Sequence, residues 1–129
     1  DRSADGHASW LPYVKLAVKY LERHINKTTW LFEESPSHIG SERFALKVTY
    51  WKDSVLAERP DGKPLYPVVY TLAHVQALAA VRSAAKILNE PRLNVIAQNM
   101  LDAIPHLYYN GQLVAGRDAR GFFGVEANS

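Results

Sequence analysis

Asp53 is the carboxylate in this chain best placed for acid–base chemistry. It lies in the run Tyr50-Trp51-Lys52-Asp53-Ser54, inside a stretch rich in polar residues. A neighbouring aromatic ring strips water from a carboxyl group and raises its pKa, while a neighbouring lysine lowers it. The two effects oppose, so the run leaves the protonation state open between general acid and general base. A carboxylate flanked by aromatic and basic side chains suits the binding or cleavage of a sugar. The competing reading makes Asp53 a turn-capping residue working with Ser54. The five histidines offer less. His74 falls inside an apolar helical pattern and reads as a hydrogen-bonded interior residue. His7, His24, His38 and His106 show no HxxxH or HExxH spacing, which argues against a metal site. A serine hydrolase has no G-x-S-x-G elbow to rest on, and Gly40-Ser41-Glu42 lacks the strand-to-helix context that such a turn needs. Neither phosphate-binding glycine fingerprint occurs. Asp5, near His7, and Glu126, near Asn128, complete the set of polar candidates.

Three helices must carry these residues. Trp10, Val14, Ala17, Val18, Leu21 and Ile25 recur at helical spacing from about Ser9 to Ile25, with Lys15, Lys19, Glu22 and Arg23 on the opposite face. Asp5 or Ser9 is available as the N-cap. Pro12 then falls in the first turn, where no intrahelical donor is lost. Asn26 to Thr29 breaks the helix, and Trp30 to Glu34 reads as a short helical turn. Ser35 to Lys63 contains Pro36, Gly40, Pro60 and Gly62 and reads as irregular, apart from a short extended piece through Phe44, Leu46, Val48 and Tyr50. A loop of that length in a compact domain is usually functional or disordered, and its aromatic and aliphatic residues favour function.

A central helix is expected from about Tyr66 to Leu88, with Pro67 in its first turn. It is rich in alanine and apolar nearly all round, as a helix buried on most sides would be. A chain of this length offers few partners to cover it, so a larger protein or an oligomer is expected. Pro91 opens a third helix whose stripe is Leu93, Ile96, Ala97, Met100, Leu101 and Ile104. Pro105 ends or kinks it, Leu107 to Gly111 makes a turn, and Gln112 to Ala115 reads as a strand. Asp118 to Gly121 reads as a hairpin turn, with Phe122-Phe123 returning.

Composition removes several classes. The 129 residues, 47% hydrophobic and 22% charged, fit one globular domain able to bury roughly two-thirds of its unfolded surface. Without cysteine there are no disulfides, thiolate metal sites or cysteine nucleophiles. Such a chain is compatible with the cytosol or with export, and the cytoplasm is the expectation. A formal charge of +2 with no clustered basic stripe argues against a nucleic-acid partner. No apolar run reaches the roughly 18 residues of a membrane span. Asp1 and Glu126 to Ser129 read as cut points within a longer polypeptide.

The run Trp51-Lys52-Asp53-Ser54, followed after a loop by the stretch Pro67-Val68-Val69-Tyr70-Thr71-Leu72-Ala73-His74-Val75-Gln76-Ala77-Leu78, resembles the catalytic domain of glycogen-debranching enzymes of the amylo-α-1,6-glucosidase type. Their pattern is a Trp-x-Asp segment, then a Pro-Val-Glu helix start running into an aromatic, Asn-Ala-Leu stretch. Tyr108 to Ala115, then Asp118 and Glu126 to Ser129, is similar to the family's stretch after the third helix. Asp5 ahead of Trp10 resembles its Asp-x-x-x-Trp helix entry. The resemblance implies an all-α fold, a segment of an (α/α)6 toroid of about three helices with long loops and a short C-terminal hairpin. It further implies a glycoside hydrolase acting on an α-glucan or related oligosaccharide. Asp53 would be the general acid and Trp51 a stacking platform, with Tyr50, Lys52, Asp5 and Gln76 contacting substrate. The catalytic base would come from a later helix pair, and no cofactor or metal is implied. Val69 stands in place of the family's Glu, and Thr71 and Gln76 in place of Asn, which points to a divergent relative acting on another oligosaccharide. The alternative is a non-catalytic helical module that binds carbohydrate or presents its apolar helix to a protein partner. The expected partners are therefore an oligosaccharide and either the rest of the ring or a second copy.

Overall fold

The computed structural model describes residues 2–34, 67–118 and 121–124, with the backbone alone described for residues 2–8. The described residues form a small, mostly helical unit with short antiparallel sheets toward the C-terminus. Helix α1 spans Arg2–His24, strand β1 Val68–Tyr70, helix α2 Thr71–Leu88 and helix α3 Pro91–Asp102. A 3-10 helix at Ile104–Leu107 leads into strands β2 (Tyr108–Tyr109), β3 (Gln112–Leu113), β4 (Gly116–Asp118) and β5 (Gly121–Phe123).

Helices α2 and α3 form a hairpin. Asn89 adopts the left-handed conformation at φ 53°, one of the few residue types that does so readily. The Glu90 amide closes onto the Ala85 carbonyl at 3.0 Å, which satisfies a carbonyl left open at the helix end. Pro91 then supplies the fixed φ of a first helical residue. Thr71, His74, Ala77, Leu78, Val81, Ala84 and Ala85 are buried on α2, and at 100° per residue they fall within roughly a 140° arc. They meet Leu93, Ile96, Ala97 and Met100 of α3, with Val18 of α1 and then Ile25 and Phe32 closing the same core.

Helix α1 departs from the sequence reading. It begins at Arg2, so Asp5 lies within the helix and Pro12 is an interior proline. Its core face is Val14, Val18 and Leu21, whereas Trp10 and Ala17, expected to be buried, are exposed. Apolar residues occupy more than half of the circumference of this helix, and periodicity alone does not choose between two apolar faces. Glu22 on α1 accepts both guanidinium nitrogens of Arg92 on α3, at 2.9 and 3.0 Å.

Two further expectations are corrected. Residues 68–70 form a strand and α2 starts only at Thr71, because Val-Val-Tyr is a β-branched and aromatic run with partners on both sides. Val68, Val69 and Tyr70 pair antiparallel with Asp118, Arg117 and Gly116, and Val68 also bridges Glu34. Residues 30–34 are not a helical turn. Trp30 is left-handed, and from Leu31 the chain runs on with Phe32 bridged to Ile25 and Glu34 to Val68. Among the described residues α2 is covered on one side only, with Leu72, Val75 and Ile87 exposed. The third helix and the turn match the expectation more closely, although Leu101, read as buried, is exposed; the strand expected at Gln112 to Ala115 is Gln112–Leu113 paired with Tyr108–Tyr109, and Phe122-Phe123 returns along Gly116–Asp118 instead. Asn110 and Gly111, both at positive φ, make the tight turn between β2 and β3 that such a pair favours.

The sheet order is β1-β4-β5, and Gly116 sits where β4 passes closest to its neighbours. A Cβ at this position would collide with the Val69 carbonyl oxygen and the Phe123 ring. Gly116→Ala should therefore cost on the order of 1–3 kcal/mol, read as a lower denaturant midpoint with an unchanged m-value.

Candidate functional site

The residues chosen from sequence chemistry do not all fall within the described structure. Tyr50, Trp51, Lys52 and Asp53 lie outside the described residues, as do His38 and Glu126. Asp5 is placed on α1 by its backbone, and Gln76 is exposed midway along α2, opposite the buried face. What the structure defines is the frame from which residues 35–66 depart and to which they return.

The two ends of that segment are held together. Glu34 and Val68 exchange backbone hydrogen bonds in both directions, each 2.8 Å. Val68 is fixed in turn by β4. Glu34 ends a strap, residues 25–34, whose path is set by local hydrogen bonds. The Asn26 side chain accepts from the Thr28 and Thr29 amides at 2.8 and 3.2 Å and donates to a Glu33 carboxylate oxygen at 3.1 Å. Trp30 donates its amide to the Asn26 carbonyl at 2.7 Å and takes a left-handed φ of 63°, which is costly for a bulky residue. The strap then reverses, and the Glu33 amide returns to the His24 carbonyl at 2.7 Å.

His74 anchors this strap to the helical hairpin. Its Nδ1 accepts the Phe32 amide at 3.1 Å, and its Nε2–H donates to the Met100 carbonyl at 2.8 Å. The ring is completely buried. These partners require the neutral tautomer with the proton on Nε2. Burial lowers its pKa below the usual histidine value, with the Met100 carbonyl acting in the opposite sense. His74 is therefore the interior, hydrogen-bonded histidine that its helical setting suggested.

Two side chains near the segment ends escaped the sequence reading. The half-buried Glu34 carboxyl has its pKa raised by burial, an effect that the charge of His24 partly offsets. The Tyr70 hydroxyl is buried and makes no hydrogen bond among the described residues, while its ring packs edge-on against Phe123 at 6.0 Å. Perturbed carboxyls and unpaired buried hydroxyls mark functional sites more often than ordinary surface. Glu34 is one of two adjacent glutamates, and Tyr70 one of seven tyrosines. Neither residue type nor spacing sets them apart.

The start of α2 is fastened on its other side by the C-terminal strands. Thr71 donates its amide to the Ala115 carbonyl at 2.9 Å and its hydroxyl to the Val114 carbonyl at 2.6 Å. Beyond it, Tyr109 and Phe122 lie 5.6 Å apart. The Arg117 guanidinium sits 5.2 Å from the Phe122 ring centre and donates to the His106 carbonyl at 3.1 Å. On the exposed face of α2, Arg82, Ser83, Lys86 and Ile87 line a shallow depression. Among the described residues, no three His, Asp or Glu side chains are grouped as a metal site would require. No helix among them is long and apolar enough to cross a membrane.

No protein-family model, no curated protein and no solved structure matches the chain.

Two substitutions probe this frame. Tyr70→Phe removes a buried hydroxyl that has no partner among the described residues, so thermal stability should stay level or rise; a clear fall would show that the hydroxyl is bonded in solution. His74→Leu strands the Phe32 amide and the Met100 carbonyl, and should cost roughly 2–4 kcal/mol in a denaturant titration.

Proposed function

We propose that this chain forms part of an (α/α)6 glycoside hydrolase-like domain that cleaves an α-glucan or related oligosaccharide by general acid/base hydrolysis. The observation that carries the reading is the Trp51-Lys52-Asp53-Ser54 run, placed in the segment whose ends Glu34 and Val68 hold together just ahead of helix α2. Two properties of α2 support it. The helix packs one face into the α1–α3 core, yet leaves Leu72, Val75 and Ile87 uncovered on the other. It is also rich in alanine. An inner helix of a ring of helix pairs needs both.

In this mechanism Asp53 protonates the glycosidic oxygen. A second carboxylate, supplied by a later helix pair at about 6.5–9.5 Å, activates water on the far side of the sugar. Trp51 stacks against a sugar face, and Tyr50, Lys52, Asp5 and Gln76 take its hydroxyls. No metal or organic cofactor enters the scheme. Val69, Thr71 and Gln76, which differ from the glycogen-debranching pattern, point toward an oligosaccharide other than a glycogen branch.

A second reading is favoured by one specific feature. Trp10, Tyr13, Leu16 and Tyr20 are all exposed on α1, Trp10 at 64% and Tyr13 at 72%, and they fall within roughly a 120° arc. Such a stripe suits a non-catalytic module that binds carbohydrate or a protein partner.

Asp53→Asn in the intact protein separates the two. Loss of a general acid should lower oligosaccharide hydrolysis about 10²–10⁴-fold, while the melting temperature stays near that of the parent. A large stability loss with hydrolysis retained would make Asp53 a turn cap. Oligosaccharide binding without turnover in the unmodified protein would identify the binding module.

A further inference from the structure

His74 joins three stretches of chain that are far apart in sequence. It belongs to α2, it accepts from Phe32 on the strap, and it donates to Met100 in the last turn of α3. Both ring nitrogens are committed, one as acceptor and one as donor, and the ring has no contact with water. A proton has one place to go, Nδ1, where the Phe32 N–H already points. Imidazolium is a donor at both nitrogens, so proton uptake sets two N–H groups against each other and breaks the bond that ties the strap to the helices.

The consequence reaches two residues further along the chain. Phe32 is followed by Glu33 and Glu34, and Glu34 forms the reciprocal backbone pair with Val68 that holds together the ends of segment 35–66. We propose that His74 is an acid-sensitive latch: protonation at Nδ1 releases the strap at Phe32 and loosens the Glu34–Val68 pair. The latch is independent of what segment 35–66 does, and stands whether or not the hydrolase reading holds.

Titratable groups face this junction from the strap, from the end of α1 and from the end of α3. On α2, residues 71–78 carry no other titratable side chain. His24 lies at the end of α1, its ring 6.1 Å from that of Phe32. Glu33 and Glu34 come from the strap, and Asp102 and His106 follow Met100. None of them hydrogen-bonds the imidazole, whose two nitrogens are taken by Phe32 and Met100. His24 uses its own Nδ1 on the Tyr20 carbonyl at 2.9 Å. Burial opposes the charged form of His74, so its folded pKa lies below the value near 6.5 that it regains once the strap opens. The open state then binds more protons than the closed one as pH falls below that value. The closed state is fully favoured above pH 6.5 and loses ground as pH drops toward the folded pKa.

Hydrogen exchange by mass spectrometry on the intact protein, from pH 7.5 to 4.5 and corrected for intrinsic exchange chemistry, reads this directly. Protection in peptides covering residues 25–34 and 67–71 should be flat above about pH 6.5. Below it, protection should fall by up to about tenfold per pH unit. His74→Asn keeps a side-chain oxygen that can accept from Phe32 but cannot titrate, so its protection should lose most of the parent's pH dependence and keep only what other titratable groups such as Glu34 contribute. Equal protection at pH 7.5 and 4.5 in the parent protein would overturn the proposal, as would a variant that keeps the parent's pH dependence. If the variant does not fold, exchange at the imidazole C2–H in the same experiment reports the His74 pKa. A ring that titrates at or above 6.5, or that titrates without any change in strap protection, also overturns it.

Discussion

Helix α2, the strap before residue 35 and the end of helix α3 meet on one imidazole. Hydrophobic contact alone would let these parts slide, because the shared core is built largely from alanine and aliphatic side chains and such contact has little directional preference. The two hydrogen bonds of His74 fix the register. They place the strap against the beginning of α2 and set the last turn of α3 opposite it, so that the hairpin closes with its ends aligned. In a dry interior both bonds are stronger than at the surface, and the cost of leaving either partner unmet is correspondingly larger. The Glu34–Val68 pair, the β1–β4 pairing and the Thr71 contacts to residues 114 and 115 all lie close along the chain from this junction.

The parts of the fold that could be read from sequence are those in which one signal dominates. Helix α3 has Pro91 at its start, and of its expected stripe Leu93, Ile96, Ala97 and Met100 are buried, Ile104 just beyond it is half-buried, and Leu101 is exposed. Asn110-Gly111 carries its own turn. Where two physical preferences compete, the reading failed. Pro67-Val68-Val69-Tyr70 fits a helix start by its proline and a strand by its β-branched run. The strand wins because Gly116–Asp118 and Glu34 supply hydrogen-bond partners from distant parts of the chain. Trp30 could not have been placed from sequence, since a left-handed bulky residue is held there by its neighbours against its own preference. On α1, Trp10 and Val18 look equally suited to a core, and only tertiary packing buries Val18 and exposes Trp10.

The candidate site divides along the same line. His74 was recognisable as an interior histidine because its helical neighbours are apolar on both sides. Asp53 was singled out by residue type alone, from aromatic and basic side chains adjacent in the chain. Glu34 and Tyr70 draw their significance from burial, a property of the folded chain with no local signature. A half-buried carboxyl and a buried hydroxyl sit on the two sides of the Glu34–Val68 junction.

The exposed side of α2 bears on what surrounds this unit. Its apolar positions are graded by size: Leu72, at 68% exposure, stands at one end and Ile87 at the other, with Ala79, Ala80 and Ser83 exposed between them. Small residues in the middle of a face let a neighbouring helix approach closely, while the larger ones at the ends lock its position. Arg82 and Lys86 lie on the same side and border the depression near the C-terminal half. They would meet acidic groups on such a neighbour, and would repel a second copy packed with its own Arg82 and Lys86 opposite. A two-fold pairing through this half of the helix therefore brings like charges together.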